Sequence, residues 1–284
     1  MTSFDPRLTP ARPDLAAARL RGLVAAERFV EGRERRVVHP TAPLRRAPAS
    51  NAPLDTEALL GETVTVYDSN GEGWCWGQLA SDDYVGWLPE EALGAPGAAP
   101  THRLKVPRSF VYPGPSIKLP PLAALSLNSL LTITREEGDF AVTENGGFLW
   151  RAHLAPLGAL EPDFVAVAER FVGVPYLWGG RSSLGVDCSG LVQLALAAAG
   201  LAAPRDTDLQ EQALGRHLEA GAPLMRGDLV FWKGHVGIIL DSERLLHANG
   251  HHMLVVAEPL AEAAARIEAK GAGPITAIRR LRQA

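Results

Sequence analysis

Between Pro175 and Gln193 the chain sets a cysteine, Cys188, at the point where a glycine-rich loop gives way to an apolar helix. The loop carries Tyr176, Trp178, Gly179, Gly180 and Gly185 and closes on Asp187, Cys188, Ser189 and Gly190. Leu191, Val192, Leu194, Ala195, Leu196 and Ala198 form a set compatible with a buried helix, stopped by Gly200 and Pro204. Asp187 and Ser189 are the polar residues expected at such a start. A thiol in the first turn feels the helix dipole and unpaired backbone N–H groups, and both favour the thiolate. Most free cysteines are nevertheless small buried hydrophobes, so position alone does not make Cys188 a nucleophile.

The stretch from Arg226 to Leu240, with Gly227-Asp-Leu229 and Gly234-His-Val-Gly237, and then Arg244 to Asn249 supply what is missing. A cysteine followed by two histidines in strand-like surroundings is a candidate set of nucleophile, base and orienter. Taken together, Tyr176, Trp178, Gly179, Gly180, Asp187 to Gly190, Gly227 to Leu229, Gly234 to Gly237 and His247 resemble the ordered blocks of the NlpC-type cysteine peptidases. These are papain-like enzymes that cut the stem peptide of peptidoglycan. The resemblance covers about residues 160–284. It implies Cys188 as nucleophile and His235 as the base that takes its proton. It also implies that the Tyr176 hydroxyl holds the oxyanion together with the Cys188 N–H, a donor pair of the kind acyl transfer needs. For Trp178, substrate binding and plain core packing stand as equal alternatives.

Asp228 to Trp232, His235 to Leu240 and Leu245 to Ala248 read as an antiparallel meander. With a two-residue turn at Ser242-Glu243, His247 would oppose Ile238 and His235 would project from the other face. With a three-residue loop, Asp241 to Glu243, His247 opposes Gly237 and shares a face with His235. The catalytic reading requires the longer loop; His247 then hydrogen-bonds the far nitrogen of His235 and fixes its tautomer. His251 and His252 are the competitors for that role, and the remaining histidines are read as surface residues. A serine nucleophile at Gly180-Arg-Ser-Ser-Leu-Gly185 is rejected, because the run has one residue too many for a nucleophile elbow and no strand precedes it.

The front of the chain has a different character. Residues 1–34 read as an extension in which Asp14 to Glu27 form a short helix, capped by Asp14 with Leu15, Leu20, Leu23 and Val24 apolar. Residues 35–98 then read as a small β barrel. Thr63 to Tyr67 alternate in period two, Asn70-Gly71 is a hairpin signal, and Trp74 to Leu79 and Tyr84 to Leu88 are further strands. After a Gly94 to Pro100 linker, residues 99–157 resemble a weaker copy: Leu127 to Ile133 matches Leu60 to Val66, and Gly146 to Leu154 matches Val85 to Leu93. Both resemble bacterial SH3-like domains. The expectation is an α+β chain in which a papain-like domain at 158–284, helices packed on an antiparallel sheet, follows two small SH3-like barrels.

A net charge of −4 with mixed signs carries no nucleic-acid footprint. Cys75 and Cys188 have no metal-site spacing and fit a reducing compartment; no metal or other cofactor is expected. The N-terminal apolar runs are too short for a signal peptide and none elsewhere is long enough to span a bilayer, so the expectation is a cytoplasmic protein.

With this architecture the resemblance narrows to γ-D-glutamyl-L-diamino-acid endopeptidases that recycle murein peptides. It implies cleavage after L-Ala-γ-D-Glu, before meso-diaminopimelate or L-Lys, with the first SH3-like domain admitting only peptides with a free amine. Asp187 and Ser189 match the family positions that receive the ammonium; Tyr84 and, less closely, Glu62 match from the barrel. Arg205 and Asp206, in Pro204 to Gln210, resemble residues of the loop that contacts substrate. A secreted wall hydrolase, or autolysin, that uses its SH3-like domains to bind the wall is the alternative, and an inactive binding module is a third reading. Sequence leaves the diamino acid and the oligomeric state open.

Overall fold

The structure, a computed structural model, describes residues 4–219 and 221–281, so the extreme ends of the first and last expected domains lie outside the described residues. The chain divides after Ala159 into two units. In the first, a seven-stranded sheet runs in the order Leu54–Leu59, Thr41–Arg45, Val85–Pro89, Trp74–Leu79, Thr63–Ser69, Arg33–Val37 and Leu93–Gly94. The Asn70-Gly71 signal is realised as a turn in which Asn70 Oδ1 accepts the N–H groups of Glu72 and Trp74. Alternation along the strands delivers Leu44, Val64, Leu79 and Leu88 to one core, with Cys75 packed among them.

The helix expected over Asp14 to Glu27 does not form. Leu15–Ala17 is instead a short strand, paired in parallel with Arg28–Val30, and only Ala18–Leu20 makes a tight helical turn. The reason is tertiary. All three residues of Leu15–Ala17 are buried, which a helix with one apolar face cannot achieve, and Leu15 packs on Trp76 and Val85. Arg12 stacks 4.5 Å from the Trp76 ring while pairing with Asp68 at 2.6 Å, which fastens the segment to the barrel.

Residues beyond the linker fold into three small sheets. Two three-stranded sheets form, one with His102–Leu104 between Leu130–Leu131 and Leu154–Pro156, the other with Phe140–Thr143 between Ile133–Glu137 and Phe148–Trp150. One local pattern occurs twice in this unit. Val85–Pro89, the turn Glu90–Ala92 and the strand Leu93–Gly94 are matched by Phe148–Trp150, the turn Arg151–His153 and the strand Leu154–Pro156. His153, read from sequence as a surface residue, is half-buried with its Nδ1 2.8 Å from Ser109 Oγ.

The second unit carries an antiparallel sheet of six strands: Arg216–His217, Ala277–Arg280, Leu229–Trp232, His235–Ile239, Arg244–Asn249 and Leu254–Pro259, in that order. Helix Cys188–Ala198 is buried along almost its whole length, as its unbroken apolar sequence requires. It ends before Gly200, whose φ of +76° suits glycine. Helix Phe164–Glu169 begins after Asp163, which takes the cap and accepts the Val165 N–H. Helix Leu260–Ile267 seats Ala263 against Val230, Trp232, Ile239 and Leu245. No helix among the described residues is long and apolar enough to cross a membrane.

Candidate active site

Cys188 is the first residue of its helix, and Asp187 is the cap, its Oδ1 accepting the Gly190 N–H at 2.7 Å. The Cys188 N–H is therefore one of the helix-start donors with no intrahelical acceptor. The approach that creates this geometry is tight. A Cβ on Gly190 would lie 2.3 Å from Gly180 O, and one on Gly180 2.5 Å from Gly185 O, so the loop closes only with glycine at these places. The sulfur of Cys188 faces the backbone of Val236, the residue after His235, whose polar group favours the thiolate, and it lies 3.7 Å from Thr207 Oγ1.

Helix position argues for a thiolate, but the surroundings decide otherwise. Burial, and then the neighbouring Asp187 carboxylate, push the Cys188 thiol up to about 11. Burial, and then His247 and Arg266, pull His235 down to about 3. Both shifts favour a neutral thiol and a neutral imidazole.

The sheet adopts the three-residue loop. Ile238 pairs with Leu246 and Ile239 with Leu245, which sets Gly237 opposite His247. Asp241 holds the loop, its Oδ1 accepting the N–H groups of Glu243 and Arg244. His235 and His247 consequently share a face, with His235 Nε2 2.7 Å from His247 Nδ1. His251 and His252 sit on the turn beyond, where Asn249 Oδ1 accepts both of their backbone N–H groups.

Asp187 does more than cap. Arg205, 1% exposed, grips it with two bonds, 2.9 Å to Oδ1 and 2.7 Å to Oδ2, and reaches Ser189 Oγ at 2.9 Å. Gly179 N–H donates to Oδ2 at 2.9 Å. With Gly190 these contacts occupy the four acceptor positions a carboxylate offers, so an ammonium reaching Asp187 must share it with Arg205. Asp206 is the cap residue of helix Thr207–Ala213. Tyr176 is half-buried, and burial, followed by the nearby Cys188 and Asp187, raises its phenol, which keeps it a hydrogen donor. Trp178 is 67% exposed, which removes the core alternative for it. In the first unit, Tyr84 is 4% exposed within the barrel core, and Glu62 accepts the Leu59 N–H at 2.9 Å in a turn.

Sequence reasoning missed Thr207, Asn249, Glu258 and Arg266. His247 Nε2 lies 2.6 Å from Glu258 Oε1 and 3.0 Å from Asn249 Nδ2. Arg266 grips the same carboxylate, with one bond of 2.7 Å to Oε2. The available signal was period two: Val256 pairs with His247, so Glu258 falls on the same face two residues on. Among the described residues no group of three or more His, Cys, Asp or Glu is placed to hold a metal ion.

The sequence profile of the NlpC/P60 family matches residues 173–266, and that of the bacterial dipeptidyl-peptidase Sh3 domain matches residues 44–93. A gamma-D-glutamyl-L-lysine dipeptidyl-peptidase of Bacillus subtilis is 31% identical over 222 residues, 69% of this chain and 72% of the relative. One of Bacillus cereus is 28% identical over 230 residues, 69% of this chain and 67% of the relative. The crystal structure of an NlpC/P60 family protein from Bacillus cereus shares the fold, with a TM-score of 0.73 at 23% identity over 87% of this chain and 99% of that one. With sequence and fold in agreement, the chain belongs to the NlpC/P60 family of hydrolases and carries a bacterial SH3 domain in its N-terminal part.

Proposed function

We propose that the chain is a cysteine peptidase that hydrolyses the bond between γ-D-Glu and the diamino acid of murein stem peptides bearing a free N-terminal L-Ala. The observation that carries this is the alignment of Cys188, seated against the backbone beside His235, with a His235–His247 contact of 2.7 Å. The chemistry follows. The Cys188 sulfur attacks the γ-carbonyl as its proton passes to His235; the oxyanion is held by the Cys188 N–H and the Tyr176 hydroxyl. Collapse expels the diamino-acid amine, protonated by His235, and leaves a thioester. Water, deprotonated by His235, then releases L-Ala-D-Glu. Because burial keeps both groups neutral at rest, the proton moves only as substrate arrives.

Specificity for free peptides is supported by the relatives' naming as dipeptidyl-peptidases, which act from a free N-terminus. Recycling of released murein peptides in the cytoplasm fits that specificity. Trp178, exposed at the mouth of the glycine loop, and Ser189 beside the nucleophile complete the substrate-side set on this unit. We also read residues 99–157 as a second SH3-like domain, supported by the repeated strand, turn and strand.

The test is product analysis on L-Ala-γ-D-Glu-L-Lys and on its diaminopimelate counterpart, each with a free and an acetylated amine. The free peptides should yield L-Ala-D-Glu, and acetylation should lower kcat/KM at least about a thousandfold. Cys188→Ala should abolish turnover. Equal cleavage of acetylated peptide or intact peptidoglycan replaces this reading with the wall-hydrolase one, and an active Cys188→Ala variant removes the thiol mechanism.

A further inference from the structure

Two groups compete for one nitrogen of His247. Its Nε2 faces an acceptor, Glu258 Oε1, at 2.6 Å and a donor, Asn249 Nδ2, at 3.0 Å. The Asn249 amide is fixed in this orientation, because its Oδ1 accepts the N–H groups of His251 at 3.1 Å and His252 at 2.9 Å. Each partner demands a different tautomer. Suppose Asn249 donates. The His247 proton then sits on Nδ1 and is given to His235 Nε2, and the His235 proton is driven to its Nδ1. That is the nitrogen left for the thiol, and it would have no lone pair to accept a proton. Suppose instead Glu258 accepts. Then His247 Nε2 carries the proton, His247 Nδ1 accepts from His235 Nε2–H, and His235 Nδ1 is free to act as base.

We propose that Glu258 is a positioning residue that, clamped by Arg266, wins the contest against Asn249 and thereby sets the tautomers of both His247 and His235. The inference rests on the reading of Cys188 and His235 as nucleophile and base. A charge-assisted hydrogen bond is about twice as strong as a neutral one, which favours the carboxylate over the amide. The Glu258 side chain is 11% exposed and Arg266 engages both of its oxygens. Burial alone would raise Glu258, but hydrogen bonds from Arg266 and His247 outweigh it and hold the group at about 2. Other charged or titratable groups here are His252, whose Nδ1 is 3.9 Å from Glu258 Oε1, Lys270, whose Nζ is 3.2 Å from His251, and Glu262, whose charge acts on Arg266. None displaces Arg266 as the carboxylate's partner.

The experiment combines steady-state kinetics with long-range ¹H–¹⁵N correlation of the histidine rings. In the unmodified protein the His247 proton should be on Nε2. Glu258→Ala should lower kcat at least about tenfold with KM unchanged, since a mis-set tautomer impairs the base and not binding. In the same variant the His247 proton should move to Nδ1. Glu258→Gln, which keeps an acceptor, should fall between. Adding Asn249→Asp to Glu258→Ala exchanges the competing donor for an acceptor, and should return the proton to Nε2 and recover at least about fivefold in kcat. Unchanged kcat in Glu258→Ala, lowered kcat with the His247 proton still on Nε2, or a restored tautomer without recovery would each overturn the proposal. If Glu258→Ala does not fold, a His247 proton found on Nδ1 in the unmodified protein overturns it, and one on Nε2 supports it. Cys188→Ala separates the two levels: an active variant removes the underlying reading, whereas an inactive one beside a fully active Glu258→Ala removes this inference alone.

Discussion

Two arginine–carboxylate pairs flank the reacting groups. Asp187 and Arg205 stand beside the thiol; Glu258 and Arg266 stand behind the histidines. They use the same fork geometry to different ends. Asp187 is saturated: two bonds from Arg205 and two backbone N–H donors leave no acceptor position, and Arg205 is 1% exposed. Glu258 is bound by an arginine that is 20% exposed, and one of its oxygens also faces an imidazole. The first pair is a lock on the loop that orients Cys188. The second, in the reading proposed above, acts through His247 on the tautomer of His235. A carboxylate near an active site thus owes its role to how many of its lone pairs remain for something other than its arginine.

The comparison can be broken most severely at Arg205. Arg205→Met should leave Asp187 buried and unpaired, and breaking a buried pair from one side costs about 3–5 kcal/mol. Chemical denaturation should show that loss in the transition of the second unit, with activity falling alongside stability. A drop under about 1 kcal/mol would mean that the pair is not the lock described. At the other pair the effect should fall on rate. His247→Asn and His247→Gln, which keep an acceptor for His235 Nε2–H, should retain part of kcat, and His247→Ala should be lower by at least about tenfold, with little change in the denaturation midpoint. Greater sensitivity at His251 or His252 would contradict the register.

The smallest effect sharpens the contrast through pH. In the proposed mechanism the working state has one proton shared between Cys188 and His235. It is lost in acid as His235 gains a proton, and in alkali as the pair loses its last one. His235 is pulled down to about 3 and Cys188 pushed up to about 11, so kcat/KM should stay flat across a wider range than free side chains would allow. Stability follows the same sign. Histidines buried neutral fold with fewer protons than they carry when unfolded, so stability should decline as the pH drops below the ordinary histidine value. Limbs found close to the free histidine and cysteine values would contradict these shifts.

Much of the site was legible because its signals are local. Asp187 as cap, the glycines at Gly180 and Gly190 and the stop at Gly200 are one-residue statements about backbone geometry, and each is realised. The loop length was legible only as a requirement of the chemistry; Asp241, which builds the loop with its side chain, gave no distinguishing sign. Glu258 was hidden because its partner lies across a turn, Gly250 to Met253, whose length sequence did not fix. The N-terminal helix failed for a related reason. Leu15, Ala16 and Ala17 suit a helix as an isolated segment, but the burial of all three, with Leu15 on Trp76 and Val85, favours an extended path. The pull toward the thiolate at the helix start is opposed by burial, a property of the finished fold that no window of sequence contains.

The burial of the Cys188 sulfur also bears on durability. Peroxide attacks the thiolate and carries it toward sulfenic and then sulfinic acid, the latter beyond ordinary repair. With its thiol pushed up by burial, Cys188 should spend little time in the form that oxidants consume.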